Sequence, residues 1–194
     1  EALQSLWFTF AFIRLCGNWP GIGRLDKMLG PFLEKELENK SITEGSAREY
    51  LAHFLIKGCE WITLDNVGSG DAQHYQNIVL GGVREDGTSV YGVATRLILE
   101  VLEELPIPDF PVAVRLSPGS PVWLTEAMAR VIRHGGGVVA AYNEDLIIKS
   151  LLGFGYPLSQ ARNYANDGCW EVQIPGKTCF SYSPFDAHNI LLKD

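Results

Sequence analysis

The stretch VAVRLSPGSPVWLTEAMARVIRHGGGVVAAYNEDLIIKSLLG, residues 112–153, decides the fold. VAVRLS, 112–117, reads as a strand. Residues 121–134 read as a helix, with Gly135 to Gly137 as its stop signal. VVAAYN reads as a second strand, and 144–153 as a short helix with apolar positions at Leu146, Ile147, Leu151 and Leu152. Immediately upstream, YQNIVLGGV reads as a short buried strand closed by glycines, REDG as a turn, and 93–105 as a helix ended by Pro106 and Pro108. Strand and helix therefore alternate as βαβαβα over 75–153. That is the pattern of an α/β fold with a largely parallel sheet or barrel. Functional residues in such folds gather at strand ends and on the loops that follow.

Working outward, residues 2–15 carry apolar side chains on nearly every face, which predicts a buried helix. GNWPGIG, 17–23, is a Gly/Pro loop. Residues 25–37 are helical in pattern, with Pro31 as a break or first-turn residue. SITEGSAREYLAHFLIKGCEWI predicts another helix, with Leu51, Phe54, Leu55 and Cys59 as its apolar stripe and Gly58 as an unfavourable position. NVGSGDA, 66–72, is turn chemistry, so Asp71, Gln73 and His74 read as a turn entering a strand rather than as a catalytic group. RHGGGVV follows a helix and lacks the Lys/Ser of a phosphate-binding loop, so it reads as a helix stop. Residues 158–165 read as a further short helix. Arg24 and Asp26 are expected to pair. Arg115, in mid-strand, is either paired inside the fold or anchors an anionic substrate.

The 194 residues are 46% hydrophobic and 20% charged, which allows a substantial core and excludes wholesale disorder. The net charge is −7 and no Lys/Arg cluster is present, so nucleic acid and anionic membrane are not expected partners. EKELENK, 34–40, has mixed signs and reads as a solvated helix face. The four cysteines, Cys16, Cys59, Cys169 and Cys179, form no CxxC and no zinc-type spacing. Reduced thiols, no metal and a cytoplasmic location are expected. The apolar run LWFTFAFIRLCGNW is interrupted by Arg14 before it could span a bilayer. The chain starts at Glu1 and stops in FDAHNILLKD, so a fragment of a longer protein is expected.

NDGCWEVQIPGKT, 166–178, sets a thiol and a carboxylate two residues apart. Gly168, Pro175 and Gly176 oppose a helix. In an extended segment Cys169 and Glu171 would face one space, with Trp170 turned away as an anchor. Three chemistries use such a pair. A nucleophilic thiolate is disfavoured by Asp167 and Glu171, which raise a thiol pKa, and His188 lies in another segment. A metal site needs more ligands. Hydrogen-atom transfer from a neutral thiol, with the carboxylate as proton acceptor, suits the pair. The structural reading is a small buried cysteine beside a surface glutamate.

YANDGCWEVQIPGKT resembles the active-site cysteine loop of the glycyl radical enzymes, the pyruvate formate-lyase superfamily, where G-C-V-E-P is followed closely by P-G-K. GRLDKMLGPF, YQNIVLGGVREDGTS, VAVRLS and YNEDLIIKSLLGFGYPLSQARNYANDGC are similar to further family segments in the same order, over about residues 14–190. The resemblance implies a barrel of two five-stranded half-sheets wrapped in helices, with the cysteine on an inward loop. Residues 1–194 would then be part of a single barrel domain, a partial barrel from which the C-terminal glycyl radical domain is absent. By similarity Cys169 would be the thiyl residue and Glu171 the general base of the branch that eliminates water, amines or other groups. The site would hold no metal. A separate S-adenosylmethionine iron-sulfur activating enzyme would install the glycyl radical. A small-molecule substrate and a homodimer of the full-length protein are implied.

The departures are specific. Gly168 precedes Cys169 where pyruvate formate-lyase proper has a second cysteine, which favours a lyase of the dehydratase type over acetyl transfer. Trp170 replaces the usual valine and Val172 the usual proline. Tyr91-Gly92 stands for the family's T-N. The histidine-aspartate that follows P-G-K-T in the family is absent here, and Ser183 and Asp186 are the substrate-binding candidates, Asp186 being equally a helix N-terminal residue. The expectation is a fragment of a glycyl radical lyase that is inactive alone. The alternative is a radical-incompetent barrel relative that binds a small molecule or a partner.

Overall fold

The computed structural model describes residues 1–16, 21–61, 76–107, 109–135, 138–168, 170–178 and 191–192. Its centre is a parallel sheet of β1 (Ile78–Gly81), β2 (Val112–Leu116) and β3 (Val139–Asn143), in that spatial order. The register sets Val79 beside Ala113 and Arg115 beside Tyr142. The crossovers are α4 (Val93–Glu104) and α5 (Val122–Ile132), and α6 (Glu144–Gly153) leaves the end of β3 directly. The expected strand-helix alternation is thus an α/β layer around a parallel sheet.

The two faces of the sheet have different work. Ile78, Leu80, Val112 and Val114 point to the helical side, where they meet Leu97, Leu102 and Leu124 in the main core. Each such side chain contributes about 1.5–3 kcal/mol when fully buried. The alternate residues Val79 and Ala113 point to the opposite face, where they meet Ala165, Tyr142 and Trp170. Period-two alternation therefore separates a structural face from the face that receives the segment around Cys169.

The helices α1 (Ala2–Leu15), α2 (Leu25–Glu38) and α3 (Glu44–Gly58) complete the helical side. The sequence predicts burial all around α1. In fact only one stripe is covered, with Trp7 and Phe10 buried, while Phe8 and Phe12 are 62% and 68% exposed. Helix α2 runs through Pro31 without ending. Packing of Leu25 and Leu29 in the core outweighs the hydrogen bond the ring removes. Thr43 caps α3, its Oγ1 accepting from the Ser46 amide at 3.1 Å.

Gly58, unfavourable by helix propensity, is required by packing. A Cβ there would lie 2.0 Å from Cε2 of Phe110. Gly58 is buried on that stripe, and Cys59 is the half-buried C-cap. The expected helix over 158–165 is shorter: α7 spans Leu158–Arg162 and the chain turns into a strand at Ala165. No helix among the described residues is long and apolar enough to cross a membrane.

Candidate active site

β4 (Ala165–Asp167) and β5 (Glu171–Gln173) pair antiparallel, with Asp167 opposite Glu171. Residues 168–170 are their connection. Gly168 has φ 55° and Trp170 has φ 81°. Glycine enters the left-handed region freely, whereas tryptophan does so only under constraint. The segment is therefore a hairpin turn rather than the extended stretch expected from its glycine and proline flanks. Two left-handed residues bracket position 169 and reverse the chain. Glu171 begins a strand, and its cross-strand neighbour is Asp167. Cys169, Ser183, Asp186 and His188 lie outside the described residues, as do Asp71, Gln73, His74 and Cys179.

Side chains of the sheet hold this turn at both ends. Asn77, next to β1, donates from Nδ2 to the Gly168 carbonyl at 3.1 Å. Tyr142, on β3, donates from its hydroxyl to the Trp170 carbonyl at 2.6 Å. The Tyr142 and Trp170 rings lie 6.5 Å apart, tilted by 41°. Burial pushes the Tyr142 hydroxyl up to about 12, the nearby Asn166 amide opposes the shift, and the Glu171 carboxylate adds to it. The hydroxyl therefore remains a donor throughout the neutral range.

The carboxylates are poor in partners. Buried Oε2 of Glu171 and buried Oδ1 of Asp167 have no hydrogen-bond partner among the described residues. A Cβ at Gly168 would sit 2.8 Å from Glu171 Oε2, and one at Gly21 would sit 3.0 Å from Asp167 Oδ1. Glycine at both positions keeps room around the two acids. Burial raises the Asp167 carboxyl above its ordinary value, and the Glu171 charge raises it further. The amides of Gly168 and Gly21 approach closely enough to oppose that shift without a well-directed hydrogen bond to Oδ1. An acid held toward its neutral form beside a second carboxylate is a common element of proton-transfer sites.

Behind the hairpin, Arg115 resolves its two expected roles in favour of pairing. It is fully buried and forks onto Glu144, Nε to Oε2 at 2.6 Å and Nη2 to Oε1 at 2.7 Å. It also donates to the carbonyls of Arg162 and Tyr164 at 2.8 and 3.0 Å and lies over the Tyr164 ring. This fork ties the segment entering β4 to β2. Arg24 and Asp26 do not pair as expected; they bracket Gly81. Arg24 Nη2 donates to the Gly81 carbonyl at 3.0 Å, and Asp26 Oδ2 accepts from the Gly81 amide at 2.7 Å. Among the described residues no group of three or more His, Cys, Asp or Glu is placed to hold a metal. Cys16 is exposed, and neither it nor Cys59 is in a disulfide.

Sequence reasoning passed over Asn77 and Tyr142, and weighed Asp167 only for its effect on the neighbouring thiol. Tyr142 stands near the carboxyl end of β3, where α/β folds place functional side chains, whereas Asn77 precedes β1 at the opposite end of the sheet and carried no such signal. An open groove at the ends of β2 and β3, lined by Ser117, Tyr142, Asn143, Asp145 and Lys149, shares Tyr142 with the hairpin.

The parallel sheet, with helices on one face and the hairpin on the other, is an α/β layer consistent with a partial barrel. Residues 1–190 match the pyruvate formate lyase-like family, and the chain belongs to it. The isethionate sulfite-lyase of Nitratidesulfovibrio vulgaris is 28% identical over 189 residues, covering 93% of this chain and 23% of that protein. A solved structure on 1,2-propanediol dehydration in Roseburia inulinivorans matches with TM-score 0.82 at 28% identity, covering 90% of this chain and 23% of that one. The crystal structure of a glycyl radical enzyme from Archaeoglobus fulgidus matches with TM-score 0.69 at 28% identity, covering 80% of this chain and 21% of that one. The chain spans about a quarter of the length of the curated relatives it matches.

Proposed function

We propose that the full-length protein is a glycyl radical lyase of the dehydratase type, in which Cys169 is the thiyl residue and Glu171 the general base. The observation that carries the reading is Glu171 itself. It is the first strand residue after the turn that contains position 169, and one of its oxygens is buried without a partner. Such an oxygen is available to accept a proton.

A glycyl radical formed outside this chain takes the hydrogen atom of the Cys169 thiol and becomes glycine. The Cys169 thiyl radical then takes a hydrogen atom from a substrate carbon and returns to the thiol. Glu171 accepts the proton of the adjacent substrate hydroxyl as the leaving group departs. The product radical takes a hydrogen atom from Cys169, and the thiyl radical so formed takes one from the glycine, which restores the glycyl radical. The radical is installed by an S-adenosylmethionine iron-sulfur activating enzyme, and the full-length protein is a homodimer. Ser183 and Asp186 are the candidates for holding the substrate.

The test uses full-length protein, anaerobically activated and screened against isethionate, 1,2-propanediol, hydroxyproline, amino alcohols and arylacetates. Cys169→Ala abolishes turnover, and Glu171→Gln lowers it by roughly 100-fold or more. Cys16→Ser leaves it unchanged. Turnover that survives both site substitutions sinks the proposal.

A further inference from the structure

We infer that Tyr142 and Asn77 are positioning residues, clamping the Gly168 and Trp170 carbonyls so that the sheet itself sets the shape of the turn between β4 and β5. The Gly168 carbonyl is held by Asn77 beside the first strand of the sheet, and the Trp170 carbonyl by Tyr142 on the third. Their strands lie two spacings apart, about 10 Å, and the register sets Tyr142 level with Gly81, four residues or about 13 Å further along the strands than Asn77. Between them the central strand offers Ala113, paired in register with Ala140. Small side chains there leave room for the turn to lie across the sheet.

The clamp has a definite task at Trp170. At φ 81° this residue occupies a backbone state that a side-chain-bearing L-residue resists. The Tyr142 hydrogen bond and the neighbouring ring oppose relaxation to negative φ. Such relaxation would rotate the backbone at Trp170 and redirect the turn that leads into Glu171. The rest of the hairpin is anchored independently. Its strands pair through three residues each, Ala165 packs on Val79 and Ala113, and Thr178 Oγ1 accepts from the Ile174 amide at 2.9 Å. Loss of the Tyr142 hydroxyl is therefore expected to loosen the turn and leave the hairpin in place.

The inference rests on the proposed catalytic reading only for its kinetic arm. In full-length Tyr142→Phe, amide exchange across 168–171 and alkylation of Cys169 by iodoacetamide, resolved by mass spectrometry, each change by on the order of tenfold, the value of one lost buried hydrogen bond. Exchange in β1 and β2 stays at its wild-type rate. In the activated enzyme kcat falls on the order of tenfold at unchanged KM. Asn77→Asp, isosteric but without the donor, shifts the same readouts. Wild-type exchange and alkylation in both variants overturn the clamp whatever the activity does. Exchange that accelerates uniformly over the sheet overturns it too, because that marks general destabilisation. Cys169→Ala that keeps turnover overturns the radical reading instead and leaves the exchange and alkylation results standing.

Discussion

Replacing Glu144 by glutamine tests the buried fork that ties the hairpin to the sheet. The substitution is isosteric and removes only the charge. Glu144 accepts from Arg115 Nε and Nη2 at 2.6 and 2.7 Å, from the Tyr164 hydroxyl at 3.1 Å, and from the Val83 amide at 3.3 Å. The side chains are 0% and 3% exposed for Arg115 and Glu144. The guanidinium would be left buried with no opposing charge, and the new amide would present N–H donors to groups that are themselves donors. Breaking such a pair costs about 3–5 kcal/mol. Urea and thermal unfolding followed by tryptophan fluorescence provide the measurement. Glu85→Gln is the control, since its ion pair with Lys27 at 2.6 Å is partly exposed and contributes at most about 1 kcal/mol. Equal losses for the two variants, or a loss below about 1 kcal/mol for Glu144→Gln, would refute the view that the fork anchors this region.

Two further outcomes are expected. The folded Asp167 carboxyl titrates above the ordinary 3.8, mainly because it is buried. The native state thus keeps this proton longer than the unfolded chain. The favourable contribution is complete below the ordinary value and is lost as pH rises through the folded value. Asp167→Asn should accordingly flatten the pH dependence of stability in that window and raise stability at pH 7; an unchanged slope in urea titrations across pH contradicts it. Gly58→Ala drives a methyl into the Phe110 ring, 2.0 Å from Cε2, and should cost about 1–3 kcal/mol by overpacking. Adding Phe110→Leu should recover part of that loss, and an absence of recovery in the double variant would show that Phe110 is not the obstacle.

The alternation of strands and helices was legible from residues 75–153 because it depends on local periodicity and punctuation. Val112–Leu116, Val139–Asn143 and Glu144–Gly153 are continuous apolar or amphipathic runs between clear stops. Local signals failed where a distant contact decides. Gly58 looks like a weak helix residue until Phe110 arrives beside it. Pro31 looks like a helix break until the buried side of its helix is packed. The aromatic surround of α1 looks like burial, yet a helix meets its neighbours along one stripe.

In the candidate site, the sequence alone set Cys169 two residues from Glu171, a separation that needs no fold. It could not show that the flanking residues adopt left-handed backbone, which turns an apparent extension into a hairpin and makes Asp167 the residue across from Glu171. Nor could it bring in Asn77 and Tyr142, which stand 91 and 28 positions from the carbonyls they hold. Strand register on a parallel sheet is a long-range property, set by which apolar rows are buried together. Only the tertiary structure carries Asn77 and Tyr142 to the two ends of one turn.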